Sequence, residues 1–301
     1  MAVPAISLNK LTKRYGSSRG VSEIDLRVEK GEVFGFLGPN GAGKTTTIRM
    51  LMDFIRPSSG EAKVLGLDCQ QQPTQIHKRV GFLAGDMEMD PRLTGRQYLE
   101  YVSNLRGGVP WSKTQVLIDR LQCETDRKIG KLSRGNKQKV ALVSALMDNP
   151  EVLILDEPTS GLDPIMQSEF NAIIREHRAK GKTAFISSHD LSEVEQICDR
   201  IGFIREGQLI AVQPLKELTK QAFKRVSVTL IGKPSKAEFQ KIKDVTSVSI
   251  TNQTIHLKLQ GDANPLLKVL SQHKIKDLSI QDANLDDIFM SFYESEEAAN
   301  V

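Results

Sequence analysis

The segment GPNGAGKTT, residues 38–46, constrains this chain more than any other stretch. Gly38 through Thr45 match the spacing G-x-x-x-x-G-K-[ST]. Glycines there let successive backbone N–H groups converge on a phosphate, and the following helix adds its dipole. The run EVFGFL just before it reads as a strand, and Lys44 to about Phe54 reads as a helix stopped by RPSSG. By composition such a pattern arises by accident in roughly one chain in a hundred of this length, and the strand–loop–helix context makes accident rarer. Gly38, Pro39, Asn40, Gly41, Ala42 and Gly43 would form the cradle. Lys44 would bring a point charge to the β- and γ-phosphates, Thr45 a hydroxyl to Mg²⁺, and Thr46 a contact to a further phosphate oxygen.

The rest of the chain reads as an α/β core with a parallel central sheet. ISLNKLTKR and SEIDLRV alternate as strands before the loop, and VGFLAG (80–85) is a further strand. From Met87 to about Asn149 the pattern turns helical, in TGRQYLEYVSNL, SKTQVLIDRLQ and SRGNKQKVALVSALMD. Strands and helices then alternate: EVLILD, helix 164–179, TAFISS, helix 190–199, RIGFI. The helical block is thus an insertion between core strands. Domain boundaries are expected at 1–220 and 221–301. The second part carries β-α-β-β-α-β-α order, a small ferredoxin-like module, with NLDDIFMSFYE as its last helix and a frayed acidic tail.

VLILDEPTSGLD supplies the other half of a hydrolytic site. An apolar strand delivers Asp156 to its C-terminal end, where α/β sheets place ligands. Asp156 would hold Mg²⁺, directly or through water, and Glu157 would polarise the attacking water. A salt-bridged surface pair is the plainer alternative, but both carboxylates follow a hydrophobic strand and precede a proline. His189 ends TAFISSHD at the same sheet edge, which suits contact with the γ-phosphate. A second anion-binding device appears in LSRGNKQKV (132–140), where Ser133 can cap a helix and Gly135 allows close backbone approach.

Taken together, GPNGAGKTT, LSRGN, ILDEP, SGLD and SSHD resemble the ATP-binding-cassette family in order and approximate spacing, over about residues 5–220. The resemblance implies an ABC cassette of the P-loop NTPase class. Its parts would be a parallel core sheet, an N-terminal antiparallel β-subdomain and an inserted α-helical subdomain (about 87–149). It implies an ATPase, with ATP and Mg²⁺ as cofactors. In that family two cassettes meet head to tail, and the signature helix of one covers the γ-phosphate held by the other. Ser133 and Gly135 would then serve the ATP of a second copy, with Asp163 of SGLD across the same seam. Tyr15 matches the aromatic that stacks on adenine, although as a bare residue it equally suits a core. The family also implies a separate integral membrane permease, contacted through the helical subdomain, and a place at the cytoplasmic face of the membrane. The single-cassette layout, the LSRGNKQK form and the C-terminal appendage look like the drug, antibiotic or lipid exporter branch. An importer ATPase, or an ABC protein working without a permease, is the alternative.

Two departures stand out. The usual LSGGQ is LSRGN here, and Gly85 occupies the place of a glutamine that would ligate or report on Mg²⁺; Asp86 or a water would have to substitute.

Composition excludes several other classes. VLIL (152–155) is the longest aliphatic run, far short of the ~20 residues that span a bilayer. MAVPAISLNK lacks the pattern of a signal peptide, so none is expected. Cys69, Cys123 and Cys198 have neither metal-ligand spacing nor an even count, which argues against a disulfide framework. A net charge of +4 without a basic–aromatic face gives no reason to expect nucleic acid.

Overall fold

Runs of buried residues place the strands at the centre of the first part of the chain. Val33–Leu37 (β3), Val152–Asp156 (β7) and Thr183–Ser188 (β8) are buried at every position, as strands covered on both faces must be. With Val80–Leu83 (β6), Arg200–Arg205 (β9) and Gln208–Pro214 (β10) they form a six-stranded sheet ordered β10-β9-β3-β8-β7-β6. Every neighbouring pair is parallel except β10 against β9. Phe34 and Phe36 meet Phe185 across β3 and β8, with ring centroids 5.8 and 5.3 Å apart.

The computed structural model describes residues 3–16, 18–217, 223–232 and 235–282, in two compact units, Met1–Leu215 and Lys216–Val301. In the first unit a second sheet, ordered β2-β1-β4-β5 and antiparallel throughout, joins Ile6–Tyr15 (β1), Ser18–Val28 (β2), Ser59–Val64 (β4) and Leu67–Asp68 (β5). This is the expected N-terminal antiparallel subdomain, but β4, β5 and the short helix Pro73–His77 (α2) were not expected from sequence. The first three residues of β4 are exposed, so the strand carries no apolar alternation to read. β10 likewise lacks a buried position.

Helices fill the insertion between β6 and β7: Gly95–Leu105 (α3), Trp111–Arg120 (α4) and Arg134–Leu146 (α5). Thr94 starts α3 with a reciprocal cap, its hydroxyl accepting from the Gln97 N–H while the Gln97 amide oxygen accepts from the Thr94 N–H. The second half of α5, Val140 to Leu146, is wholly buried and anchors the subdomain. Lys44–Leu51 (α1) follows β3, and Pro164–Ala179 (α6) has the expected bounds. The helix expected over 190–199 is only Leu191–Glu195 (α7). Asp199 exchanges bonds with Val33, its N–H donating to the carbonyl and its carboxylate accepting from the N–H. Sheet pairing therefore captures the chain before the helix can continue.

Among the described residues no helix is long and apolar enough to cross a membrane. All three cysteines are free and buried, and burial pushes the Cys69 and Cys123 thiols up to about 12.

The second unit carries Lys224–Leu230 (β11), Val245–Thr251 (β12), Thr254–Leu259 (β13) and Ile275–Asp282 (β14) in the antiparallel order β12-β13-β11-β14. Helix Lys236–Gln240 connects β11 to β12, and helix Asn264–Leu270 connects β13 to β14. Val226, Val228, Leu230, Ile255, Leu257 and Leu259 alternate along β11 and β13 and pack with Phe239, Leu266 and Leu270 into one core. This is the ferredoxin-like order. The expected last helix, NLDDIFMSFYE, lies outside the described residues.

Candidate active site

Three strands of the large sheet end at one edge. Because β8 lies between β3 and β7, the chain ends there deliver the phosphate loop, Asp156 and His189 side by side. Gly38 opens the loop, and its N–H donates to the Ser188 carbonyl at 3.2 Å. A Cβ on Gly38 would lie 2.2 Å from the Ile204 carbonyl oxygen, so only glycine fits. Lys44 is 6% exposed and donates to the carbonyls of Gly38 (2.6 Å) and Pro39 (3.2 Å). Asn40, Gly41, Ala42, Gly43, Lys44, Thr45 and Thr46 line a cavity of about 200 Å³ with Gly20 and Glu157. The N-terminus of α1 bears no acidic residue in its first turn, which leaves its dipole available to an anion.

Asp156 is 1% exposed and each of its oxygens accepts a hydrogen bond: Thr45 Oγ1 donates to Oδ2 at 2.7 Å and Ser187 Oγ to Oδ1 at 2.5 Å. Glu157 adopts φ of 50°, unusual for a residue with a side chain. Its N–H donates to Ser187 Oγ at 3.0 Å, and its Oε2 lies 2.7 Å from His189 Nδ1. Its Oε1 lies 3.2 Å from Lys44 Nζ yet is buried with no hydrogen bond, while that ammonium donates to the loop carbonyls of Gly38 and Pro39. An acceptor of that kind is what a general base needs for the proton of a nearby water.

A second cavity, of about 390 Å³, adjoins the first, and Asn40, Thr45 and Glu157 line both. Gly85, Asp86, Arg134, Asp156, Ser160 and His189 complete it. No cluster of three or more His, Cys, Asp or Glu side chains that could hold a metal occurs among the described residues. The neighbouring oxygens of Thr45 and Asp156 instead suit a small hard cation that takes its remaining ligands from phosphate and water. Gly85 packs close, its missing Cβ 3.3 Å from Asp156 Oδ2. Asp86 reaches the cavity wall but is paired to Arg49 at 3.0 Å.

Other candidates lie apart. Ser133, Gly135 and Asp163 line neither cavity of their own chain. Ser133 caps α5, accepting from the Asn136 N–H. Asp163 caps α6, accepting from the N–H groups of Ile165 and Met166. A Cβ on Gly135 would meet the Gly161 carbonyl oxygen at 2.6 Å, so this glycine already answers a close approach within the chain. Tyr15 ends β1 at 45% exposure, with Lys13 Nζ 5.4 Å from its ring centre. Sequence reasoning missed Ser187, which clamps both acids; its only signal is a serine two places before His189. It also missed Arg134 and Ser160, which are hydrogen-bonded at 3.0 Å.

A family model described as ABC transporter matches residues 21–160. The bacitracin transport ATP-binding protein BcrA of Bacillus licheniformis is 34% identical over 294 residues, covering 95% of this chain and 96% of that one. A fluoroquinolones export ATP-binding protein of Mycobacterium tuberculosis is 30% identical over 291 residues, covering 95% and 92%. In fold, a dimeric bacterial ABC transporter cassette aligns with a TM-score of 0.65 at 23% identity, over 70% of this chain and 98% of that one.

Proposed function

This chain belongs to the ATP-binding-cassette transporter family as a subunit that binds and hydrolyses ATP, and from that premise we propose that two copies close around two ATP molecules to power a separate membrane permease for export. One observation carries the reading. Lys44, Thr45, Asp156, Glu157 and His189 converge on adjoining cavities, while Ser133 and Gly135 of the same chain line neither. That arrangement supports a triphosphate site whose open side takes its cover from a second copy.

In this scheme the loop amides and Lys44 bind the β- and γ-phosphates, and Tyr15 stacks on the adenine. Thr45 and Asp156 would hold Mg²⁺, which would supply positive charge to the triphosphate. Glu157 takes a proton from the water that attacks the γ-phosphorus. His189, tied to Glu157 Oε2, keeps that carboxylate oriented and meets the γ-phosphate. Ser133, Gly135 and Asp163 act across the seam on the ATP of the other copy. The relatives named for bacitracin and fluoroquinolones, which match almost the whole chain, favour export of a drug, antibiotic, lipid or similar molecule over import. The subunit would sit at the cytoplasmic face of the membrane through its permease. Turnover per chain should rise with protein concentration as the dimer forms, and a rate independent of concentration would overturn the scheme. Co-purification with a multi-span membrane protein tests the permease.

A further inference from the structure

The turn after Glu157 is held by the helix whose start, in the reading above, serves the other ATP. Gln138 lies in α5, half-buried, and its Nε2 donates to the carbonyls of Glu157 (3.2 Å) and Pro158 (3.0 Å). Two more contacts follow the same seam. Arg134 Nη2 donates to Ser160 Oγ at 3.0 Å, and Gly135 abuts the Gly161 carbonyl so closely that a Cβ would sit 2.6 Å from its oxygen. A left-handed backbone persists at a residue with a side chain only where its surroundings hold it. At Glu157 the N–H is held by Ser187 and the carbonyl by Gln138.

We propose that Gln138 is a positioning residue that sets the carboxylate of Glu157 and couples the lid offered to the partner copy to the base acting on this chain's own ATP. The coupling rests on the composite-site reading. Gln138 is three residues from Gly135 on one helix, and the buried second half of α5 keeps that helix from moving piecemeal. When Ser133 and Gly135 engage the partner's triphosphate, any shift of the helix start reaches the Glu157 and Pro158 carbonyls through the Gln138 amide. Misplacing a reacting group by about 1 Å costs on the order of 10²-fold in rate, so a small shift is enough to gate hydrolysis. Each ATP site then fires only when its own chain is also serving as lid.

The test compares Gln138→Leu, which keeps bulk and removes the donor, with Gln138→Lys, which keeps a donor of similar reach. Both are made in the full chain and measured for kcat, KM, Hill coefficient, binding of a fluorescent ATP analogue and thermal midpoint. Gln138→Leu should lower kcat roughly ten- to a hundredfold and bring the Hill coefficient toward one, with KM, nucleotide affinity and midpoint unchanged. Gln138→Lys should recover most of the lost kcat. Wild-type kcat and cooperativity in Gln138→Leu overturn the proposal, as do equal losses in both variants or a loss that merely tracks affinity and midpoint. The composite reading is tested separately in the wild-type protein. If its turnover per chain ignores concentration, the coupling falls with that reading whatever Gln138→Leu does.

Discussion

Replacing Glu157 by glutamine separates the charge of this side chain from its shape. The two side chains are nearly isosteric, and an amide oxygen can still accept from His189 Nδ1, which stands 2.7 Å from Oε2. What disappears is the proton acceptor and one negative charge 3.2 Å from Lys44 Nζ. Loss of a positioned base lowers the rate by about 10²–10⁴, or roughly 3–5 kcal/mol of barrier. Binding moves the other way. Two unit charges at that separation attract by on the order of 5 kcal/mol at an effective dielectric of about 20, before desolvation is counted. The carboxylate therefore competes with a triphosphate for Lys44, and its removal leaves the ammonium freer to meet phosphate. The expected variant binds ATP at least as tightly as the wild type, hydrolyses it 10²–10⁴-fold more slowly, and accumulates as a closed dimer. Single-turnover hydrolysis measures the first loss, and light scattering with and without ATP measures the dimer. Hydrolysis at the wild-type rate would refute the assignment of Glu157 as base, and loss of ATP binding would refute the competition for Lys44.

Ser133→Arg places bulk and charge at the cap of α5, at a residue that itself lines neither cavity of its own chain. ATPase activity should vanish while isolated monomers still bind nucleotide, measured by titration at low protein concentration; loss of monomer binding would show that Ser133 serves its own site. Stability should also fall in mild acid because of His177, buried in α6, whose Nε2 lies 3.3 Å from the Thr183 carbonyl oxygen. Burial lowers its pKa from 6.5 to about 4, with the nearby Lys182 charge adding to the effect. Between those values the unfolded chain binds a proton that the folded chain refuses. Stability is therefore full above about pH 6.5 and declines as pH falls toward about 4, by roughly 3 kcal/mol. Urea unfolding across that range should show a shallower acid decline in His177→Gln, and identical profiles would rule His177 out as the cause.

Much of this protein was legible in its linear order, because the chemistry lies in contiguous segments. The loop from Gly38 to Thr46 carries its own strand and helix, Asp156 ends a run of apolar residues, and His189 follows the strand TAFISS. Strands β4 and β10 were not legible, since β4 begins with three exposed residues and β10 has no fully buried position. Nor was the end of α7, which sheet pairing at Asp199 decides. Nor do the motifs reveal the contacts that Gly135 and Asp163 make within the chain, where the first packs against the Gly161 carbonyl and the second caps α6.

The sequence by itself determined the kind of site, because a phosphate cradle and its acids are specified by residue type at short spacing. Only the tertiary structure decided how those residues restrain one another: Ser187 between the two acids, Lys44 against Glu157, Gln138 on the turn beyond it. Those contacts join residues from separate strands and helices, and strand order, which no local pattern encodes, brings them within reach.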